Sequence, residues 1–274
     1  METLSMHVLP AVSPPQRLRR LAGGLLCALV TLLPLQSVRA ECTASSSKNT
    51  VALVELYTSE GCSSCPPADR WLSRLPESFS STRVVPLALH VDYWDYIGWK
   101  DRFAQAGFSS RQRQQARLGG SSFVYTPQIM LNGRDYATWG DRTRFNAAIL
   151  NHNDKIAAAD IRLSLSGVRA GELEVSASAQ AAATHHPRLF VVLYENGLGS
   201  QVKAGENSGA TLRHDFVVRS WSDAQAVGAQ FTTPYRQRLQ LPADGNPRNM
   251  GVAAFVQDAR SGEVLQAMSM PLCP

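Results

Sequence analysis

The sequence predicts an α/β domain with the element order βαβαββα, followed by an all-β sandwich domain. Residues 51–75 read as a buried strand, a cysteine pair and a helix, and residues 128–138 hold a hairpin signal between apolar runs. Residues 160–274 alternate short apolar runs with turn residues. We therefore expect one domain over residues 41–152 and a second over residues 160–274.

The first strand and helix surround a pair of cysteines. Residues 51–58 form an apolar run that is too short for a helix, and Gly61 interrupts it just before Cys62. Two prolines follow Cys65, and proline is tolerated in the first helical turn because the amides there lack intrahelical partners. The pattern predicts a helix that runs to about Leu75, with both cysteines at its beginning.

A cysteine at a helix N-terminus has a particular chemistry. The positive end of the helix dipole and free backbone amides favour the thiolate of Cys62, and Cys65 lies where it could resolve a mixed disulfide. A structural zinc site usually needs a second cysteine pair or a spaced histidine pair, and the sequence has no second Cys-x-x-Cys. Redox chemistry is therefore the expectation, with no metal or cofactor, and an inert disulfide or a metal site is the alternative.

The first 40 residues have the pattern of a signal peptide. Several arginines precede an apolar stretch at 21–35, and residues 38–40 read Val-Arg-Ala, which fits a cleavage site before Glu41. The alternative is a membrane anchor, but a membrane span needs about 20 apolar residues. We expect a periplasmic or secreted protein with no membrane span after cleavage.

The charge of the mature chain does not point to nucleic acid. The whole chain carries +5, of which four arginines and one glutamate lie in residues 1–40, so +2 remains. The remaining basic residues are scattered, and a nucleic-acid partner is not expected.

The other cysteines lie at the two ends of the mature chain. Cys27 leaves with the signal peptide, so Cys42 and Cys273 remain beside the Cys-x-x-Cys pair. An even count in an oxidising compartment favours a disulfide between them. Two free thiols at the chain ends are the alternative.

The middle of the first domain continues the alternation of strands and helices. Residues 84–91 predict a second buried strand, the aromatic loop 92–101 follows, and a helix is expected over 103–118. The aromatic loop could line a binding groove or pack against the helix. Asn132-Gly133 predicts a two-residue hairpin turn, and Asp141 is a good N-cap for the last helix.

This order, with Cys-x-x-Cys after the first strand and Thr-Pro before the third, resembles the thioredoxin fold. The resemblance implies that the bond between Thr126 and Pro127 is cis and that this loop receives an extended substrate beside the cysteines. It also implies that Glu55 is a buried acid that assists proton transfer. The family's tryptophan before the first cysteine is Gly61 here.

A closer resemblance is to a family of exported bacterial thioredoxin-like proteins that is catalogued as a domain of unknown function. The shared motifs lie within residues 50–150. They are Glu-Leu-Tyr-Thr-Ser-Glu-Gly-Cys-Ser-Ser-Cys-Pro-Pro-Ala-Asp at 55–69, His-Val-Asp-Tyr-Trp-Asp-Tyr-Ile-Gly-Trp-Lys-Asp at 90–101, and Tyr-Thr-Pro-Gln at 125–128.

About seven short strands are expected after residue 160, and this number favours a sandwich. His185, His186 and His214 lie in or next to this region, but isolated histidines at a surface are common and no metal site is predicted from them.

The expected function is that of an exported thiol-disulfide oxidoreductase. Its partners would be exported protein thiols or disulfides and an electron-transfer partner. The alternative is a non-catalytic binding module in which the Cys-x-x-Cys is a structural disulfide or a metal clamp. The direction of the redox reaction depends on the reduction potential, which residue types do not fix.

Overall fold

The computed structural model describes residues 41–231 and 234–273. The predicted signal peptide, residues 1–40, lies outside the described residues. Of the described residues, 41% are in strands and 20% in helices.

The described residues form fifteen strands and four α-helices. The strands are β1 (Glu41–Ser45), β2 (Ala52–Thr58), β3 (Val84–His90), β4 (Gln128–Leu131), β5 (Arg134–Asp135), β6 (Ala159–Ser166), β7 (Glu172–Ala181), β8 (Pro187–Glu195), β9 (Leu198–Gln201), β10 (Thr211–His214), β11 (Val217–Trp221), β12 (Gln225–Ala226), β13 (Tyr235–Gln240), β14 (Met250–Asp258) and β15 (Val264–Pro271). The helices are α1 (Pro66–Ser73), α2 (Leu75–Ser78), α3 (Ala106–Leu118) and α4 (Arg142–Asn153).

The main sheet has nine strands and runs through both halves of the chain. Its strand order is β15-β14-β8-β11-β3-β2-β4-β5, and β12 also pairs with β8. Strands β2 and β3 are parallel and every residue in them is buried, as expected for apolar runs covered on both faces.

The predicted fold class is wrong. The chain is mostly β-sheet, and its first half does not form a separate α/β thioredoxin-like unit followed by a separate sandwich. The physical reason is that β3 is not an edge strand. It pairs in parallel with β11, where Val217 is opposite Ala88, and the Ala88 amide donates to the Phe216 carbonyl at 2.8 Å. Strands from residues 41–152 and from residues 160–274 therefore share one sheet.

A second sheet covers part of the main sheet. Its order is β1-β6-β7-β13, and all of its pairs are antiparallel. Inward residues of both sheets form one apolar core, with Ile161 and Val175 from the second sheet against Leu193 and Val252 from the main sheet. The strands alternate buried and exposed positions, so only one face of β6 enters this core.

A disulfide joins the two ends of the described chain at this core. Cys42 on β1 is bonded to Cys273, just after β15, with a Cα–Cα distance of 5.9 Å. The bond closes a chain segment with a sequence separation of 231 residues. It therefore links the second sheet to the last strand of the main sheet.

The helices lie on opposite faces of the main sheet around β2. Leu56 and Val54 of β2 share a core with Leu72 of α1 and Ile149 of α4. Tyr57 shares another core with Phe108 and Ala116 of α3. Successive side chains of a strand point to opposite faces, so neighbouring residues of β2 enter different cores.

Several local predictions are confirmed. The turn at Asn132-Gly133 joins β4 to β5 with Leu131 opposite Arg134, and both turn residues have positive φ. The Asp141 side chain caps α4 by accepting from the Arg144 amide at 3.0 Å. Strand β5 is shorter than predicted and α3 begins at Ala106 rather than at Phe103. None of the helices in the described residues is long and apolar enough to span a membrane.

Candidate functional site

The cysteine pair lies at the beginning of α1. Cys62 and Cys65 are bonded, with a Cα–Cα distance of 5.5 Å, and Pro66 and Pro67 occupy the first helical positions. Cys62 is 1% exposed and Cys65 is 0% exposed. The predicted position of the pair is therefore observed, and both sulfur-bearing side chains are buried.

The loop that holds Cys62 and Cys65 is called the cysteine loop below. Its hydrogen bonds differ in part from the expected free backbone amides around Cys62. The Cys65 amide donates to the Cys62 carbonyl at 3.2 Å, so it does not point freely at the sulfur of Cys62. The hydroxyl of Ser64 lies 3.3 Å from Cys62 Sγ, within hydrogen-bond range of a sulfur atom. A thiolate at Cys62 would therefore be stabilised by the Ser64 hydroxyl and by the helix dipole.

The predicted substrate loop lies beside the cysteine loop. The peptide bond between Thr126 and Pro127 is cis. Ser64 Oγ donates to the Thr126 carbonyl at 3.4 Å, which links the two loops. The structure thus brings together Cys62, Cys65, Thr126 and Pro127.

Glu55 lies elsewhere. Its Oε1 accepts a hydrogen bond from Arg111 Nε at 2.6 Å, and both side chains are buried. Its neighbours on β2 are Leu56, which packs with α1, and Tyr57, which packs with the α3 side. Glu55 and Tyr57 lie two residues apart on β2, so their side chains are on the same face of the strand. That face contacts Arg111 of α3, and the opposite face packs against α1. The structure therefore pairs Glu55 with Arg111 and does not bring it to the cysteine loop.

The guanidinium of Arg111 stays charged although it is buried. Burial acts to lower the pKa of Arg111, but the adjacent carboxylate of Glu55 outweighs this effect and the pKa is raised. The guanidinium also lies 4.5 Å from the ring centroid of Trp221. The pair has the contacts of a structural ion pair.

A different group of acids and histidines lies next to the cysteine loop. We call it the buried ionisable cluster: Glu60, Asp69, His90, Asp101 and His214, each no more than 6% exposed. Glu60 precedes the cysteines and Asp69 lies in α1, and the other three come from β3, the end of the aromatic loop and β10. Five separate segments of the chain therefore converge beneath the cysteine loop.

The distances within the cluster define two groups. His90 Nδ1 lies 2.6 Å from Asp101 Oδ2, a charge-assisted hydrogen bond. His214 Nε2 lies 3.4 Å from Glu60 Oε1, and its Nδ1 lies 3.7 Å from Asp69 Oδ2, without a well-directed hydrogen bond to either. The two histidine rings meet edge to face at 4.9 Å.

The pKa values in the cluster move in opposite directions. Burial acts to raise the pKa of Asp101, but His90 outweighs burial and the pKa is lowered. Burial acts to lower the pKa of His90, but Asp101 outweighs it and the pKa is raised. Burial raises the pKa of Asp69. The cluster therefore combines an ion pair with a carboxyl group that holds its proton more tightly.

No group of three or more histidine, cysteine, aspartate or glutamate side chains in the described part of the chain is arranged to hold a metal ion. His185 and His186 lie at a short helical turn before β8, away from this cluster in sequence.

The aromatic loop takes part in the site. Trp94 Nε1 donates to Thr126 Oγ1 at 2.8 Å, and Trp99 Nε1 donates to Glu60 Oε2 at 2.7 Å. Tyr96 in the same loop is 82% exposed. The aromatic loop therefore joins the loop at Thr126-Pro127, called the proline loop below, to the buried ionisable cluster. It also presents an aromatic side chain to solvent.

Gly61 is explained by the same loop. A Cβ atom at Gly61 would lie 3.2 Å from both Trp94 Cβ and Ile97 Cδ1. Such contacts are tighter than ordinary van der Waals packing. The space that a side chain at position 61 would need is therefore filled by side chains of the aromatic loop.

Two features of the site were missed by sequence reasoning. The first is the buried ionisable cluster, although four of its five residues lie in the quoted motifs at 55–69 and 90–101. The second is the loop between β9 and β10, which contacts the cysteine loop through Glu206 and Asn207. His214 is an isolated histidine in the sequence, and nothing in its surroundings there indicates that it lies beside Glu60 and Asp69.

Comparisons with known proteins find solved structures that are similar to most of this chain. A crystal structure of a protein from Agrobacterium tumefaciens is 26% identical, with a TM-score of 0.57, over 83% of this chain and 97% of that chain. HBP35 of Porphyromonas gingivalis is 16% identical, with a TM-score of 0.64, over 83% of this chain and 76% of that one, and this likeness shows the fold alone. No curated protein matches the chain. The family model for proteins of unknown function DUF1223 matches residues 53–257, so the chain belongs to the DUF1223 family.

Proposed function

We propose that this protein is an exported thiol-disulfide oxidoreductase in which Cys62 is the nucleophile and Cys65 the resolving thiol. One observation carries the proposal: the bonded cysteine pair lies at the beginning of α1, beside the loop at Thr126-Pro127. The helix N-terminus and the hydroxyl near one sulfur both stabilise a thiolate at Cys62. A stabilised thiolate favours both its release when the disulfide opens and its attack on a partner disulfide.

The proposed reaction is a two-electron exchange. A partner thiolate attacks Cys62 Sγ, the bond to Cys65 breaks, and Cys65 leaves as a thiolate that takes up a proton. The partner's second thiolate then attacks the partner's first sulfur atom, which is bonded to Cys62 in the mixed disulfide, and releases Cys62 as a thiolate. The partner dithiol is thereby oxidised to a disulfide and the cysteine pair is reduced; the reverse sequence reduces a partner disulfide.

The loop at Thr126-Pro127 is proposed to hold the partner chain. Pro127 has no backbone N–H to compete for the sulfur, and the carbonyl of Thr126 is already close to the cysteine loop. Tyr96 and Phe123, which are 82% and 69% exposed, lie in the aromatic loop and just before Thr126. These two side chains would provide apolar contacts for the partner.

Export is part of the proposal. The signal-like residues 1–40 and the disulfide between Cys42 and Cys273 both fit an oxidising compartment. Mass spectrometry of exported material should find an N-terminus at Glu41. Retention of residues 1–40 in a membrane fraction would contradict this part.

Trapping of partners tests the assignment of roles. Cys65→Ser should accumulate covalent partners that dithiothreitol releases, because the mixed disulfide at Cys62 can no longer be resolved. Cys62→Ser is the matched control and should accumulate few or none. Equal trapping by both variants would show that the roles are assigned wrongly.

A second candidate function is a binding module with a structural disulfide. The observation that favours it is the near-complete burial of Cys62 and Cys65. A redox titration against a glutathione series separates the two candidates. A catalytic pair should open in mild reductant, whereas a pair that stays oxidised under those conditions would favour the binding module.

A further inference from the structure

A loop from the second half of the chain is hydrogen-bonded to the loop that carries the cysteine pair. This loop, residues 203–209, connects β9 to β10 and is called the gate loop below. Ser63 and Ser64 between the cysteines are exposed, yet Cys62 and Cys65 are buried. A disulfide exchange needs direct access to a sulfur atom, so whatever covers the pair controls the reaction.

Two side chains of the gate loop bind the cysteine loop. Glu206 Oε2 accepts hydrogen bonds from the backbone amide of Ser63 at 2.9 Å and from its hydroxyl at 2.8 Å. These bonds lower the pKa of Glu206, so the carboxylate stays charged. Asn207 Nδ2 donates to the carbonyls of Glu60 at 2.8 Å and of Cys62 at 2.9 Å. The gate loop thus satisfies one backbone donor and two backbone acceptors beside Cys62.

The tip of the gate loop also fits against the aromatic loop. Gly205 has a φ of +75°, and a Cβ atom there would lie 3.1 Å from Ile97 Cδ1 and 3.4 Å from Trp99 Cβ. A glycine is therefore required both by the backbone conformation and by the close approach. The gate loop is seated on two walls of the site.

The gate loop is closed by its own hydrogen bonds. The Gly209 amide donates to the Val202 carbonyl at 2.8 Å, and the Val202 amide donates to the Ala210 carbonyl at 2.9 Å. Strands β9 and β10 pair with each other and form a two-stranded sheet apart from the main sheet. The hairpin tip can therefore move as a unit while the ladder of the main sheet stays intact.

We propose that residues 203–209 form a gate over the Cys62–Cys65 disulfide, and that a partner must displace Glu206 and Asn207 before its thiolate attacks Cys62 Sγ. The inference rests on the proposed function, because it names what controls that reaction. The groups that opening releases are the amide of Ser63 and the carbonyls of Glu60 and Cys62. An extended polypeptide around the reacting thiol can pair with these groups through its own backbone, so an extended chain is the expected partner.

The gate predicts the rate at which the disulfide is reduced. The purified oxidised protein is incubated with dithiothreitol, quenched with acid and an alkylating agent, and analysed by mass spectrometry. Asn207→Ala removes two hydrogen bonds without changing any charge. We expect reduction of Cys62–Cys65 to be several-fold to about a hundredfold faster, since a tenfold change in rate corresponds to about 1.4 kcal/mol and each of the two hydrogen bonds contributes at most about that much.

Further variants separate access from charge. Glu206→Gln weakens the gate but also removes a negative charge beside Cys62, so its effect combines both causes. Glu77→Gln makes the same change at an exposed position on α2 and should stay within about twofold of the wild-type rate. Ser63→Ala removes only the hydroxyl that Glu206 accepts from, and should accelerate reduction less than Asn207→Ala does.

The outcomes decide between the gate and a merely structural loop. A wild-type rate in Asn207→Ala overturns the gate. If Asn207→Ala loses Cys42–Cys273 at the same rate as Cys62–Cys65, it has unfolded, and Ser63→Ala then decides in its place. Faster reduction in the gate variants without any trapped partner would refute the proposed function and leave the gate. Trapped partners with unchanged reduction rates would support the proposed function and refute the gate.

Discussion

Glu55→Gln should strongly destabilise the protein while leaving the chemistry of the cysteines unchanged. The substitution keeps the shape of the side chain and removes its charge. Glu55 is 0% exposed and Arg111 9% exposed, so the guanidinium would remain buried among aromatic rings without its counter-ion. This residue therefore tests whether the acid on β2 serves the fold or the proton transfer that the thioredoxin resemblance implies.

The size of the effect follows from burial. Removing one partner of a buried ion pair costs about 3–5 kcal/mol, because the other charge is left uncompensated. An exposed pair contributes about 0–1 kcal/mol. Arg144 and Asp141 form such a pair, with side chains 72% and 44% exposed, so Arg144→Gln is the control. We expect Glu55→Gln to lose several times more stability than Arg144→Gln.

Two measurements complete this test. Urea denaturation gives the free energy of unfolding of the wild type and both variants, and the pH dependence of alkylation of the reduced protein reports the thiols. A loss below about 1 kcal/mol for Glu55→Gln, of the size expected for an exposed pair, would refute the structural interpretation. A shifted pH profile at Cys65 would in turn support a role in proton transfer.

Three further predictions concern stability. In the folded protein the pKa of His90 is raised from 6.5 and the pKa of Asp101 is lowered from 3.8. The ion pair therefore stabilises the folded protein fully between pH 3.8 and pH 6.5. This stabilisation is lost as pH rises through the folded pKa of His90, and also as pH falls through the folded pKa of Asp101. The difference in melting temperature between wild type and Asp101→Asn should narrow on both sides of that window. Gly61→Ala should cost about 1–3 kcal/mol by overpacking against the aromatic loop, measured by urea denaturation. Replacing Cys42 and Cys273 with serine should cost about 2–5 kcal/mol in the same assay, and an unchanged midpoint would contradict it.

The sequence correctly predicted those elements of the fold that are determined by residues close together in the chain. The Asn132-Gly133 turn needs positive φ at both residues, and Asp141 caps the helix that begins at the next residue. The pairing of β11 with β3 has no such cause. Val217 and Ala88 are far apart in sequence, and an apolar strand pattern does not specify its neighbour.

The same distinction separates the site residues. Cys62, Cys65 and the Thr126-Pro127 pair are recognisable because each lies within a short motif. The proton-transfer role of Glu55 is implied only by the resemblance to thioredoxin, and alternation along a strand places Glu55 and Leu56 on opposite faces. In the structure Leu56 packs with α1, so Glu55 lies on the other face of β2, away from the cysteines.

The candidate site depends on both halves of the chain. Residues 51–135 supply the cysteine loop, the proline loop and the aromatic loop, but the hairpin of β9 and β10 supplies His214 between Glu60 and Asp69 and also supplies Asn207. Without this hairpin, the buried carboxyl groups of Glu60 and Asp69 would lose His214 as a neighbour, and the carbonyl of Cys62 would lose one of its two donors. Removing that compensation from buried polar groups costs free energy. The second half of the chain therefore sets both the charge balance beneath the disulfide and the access to it, which a cysteine motif on a helix cannot do alone.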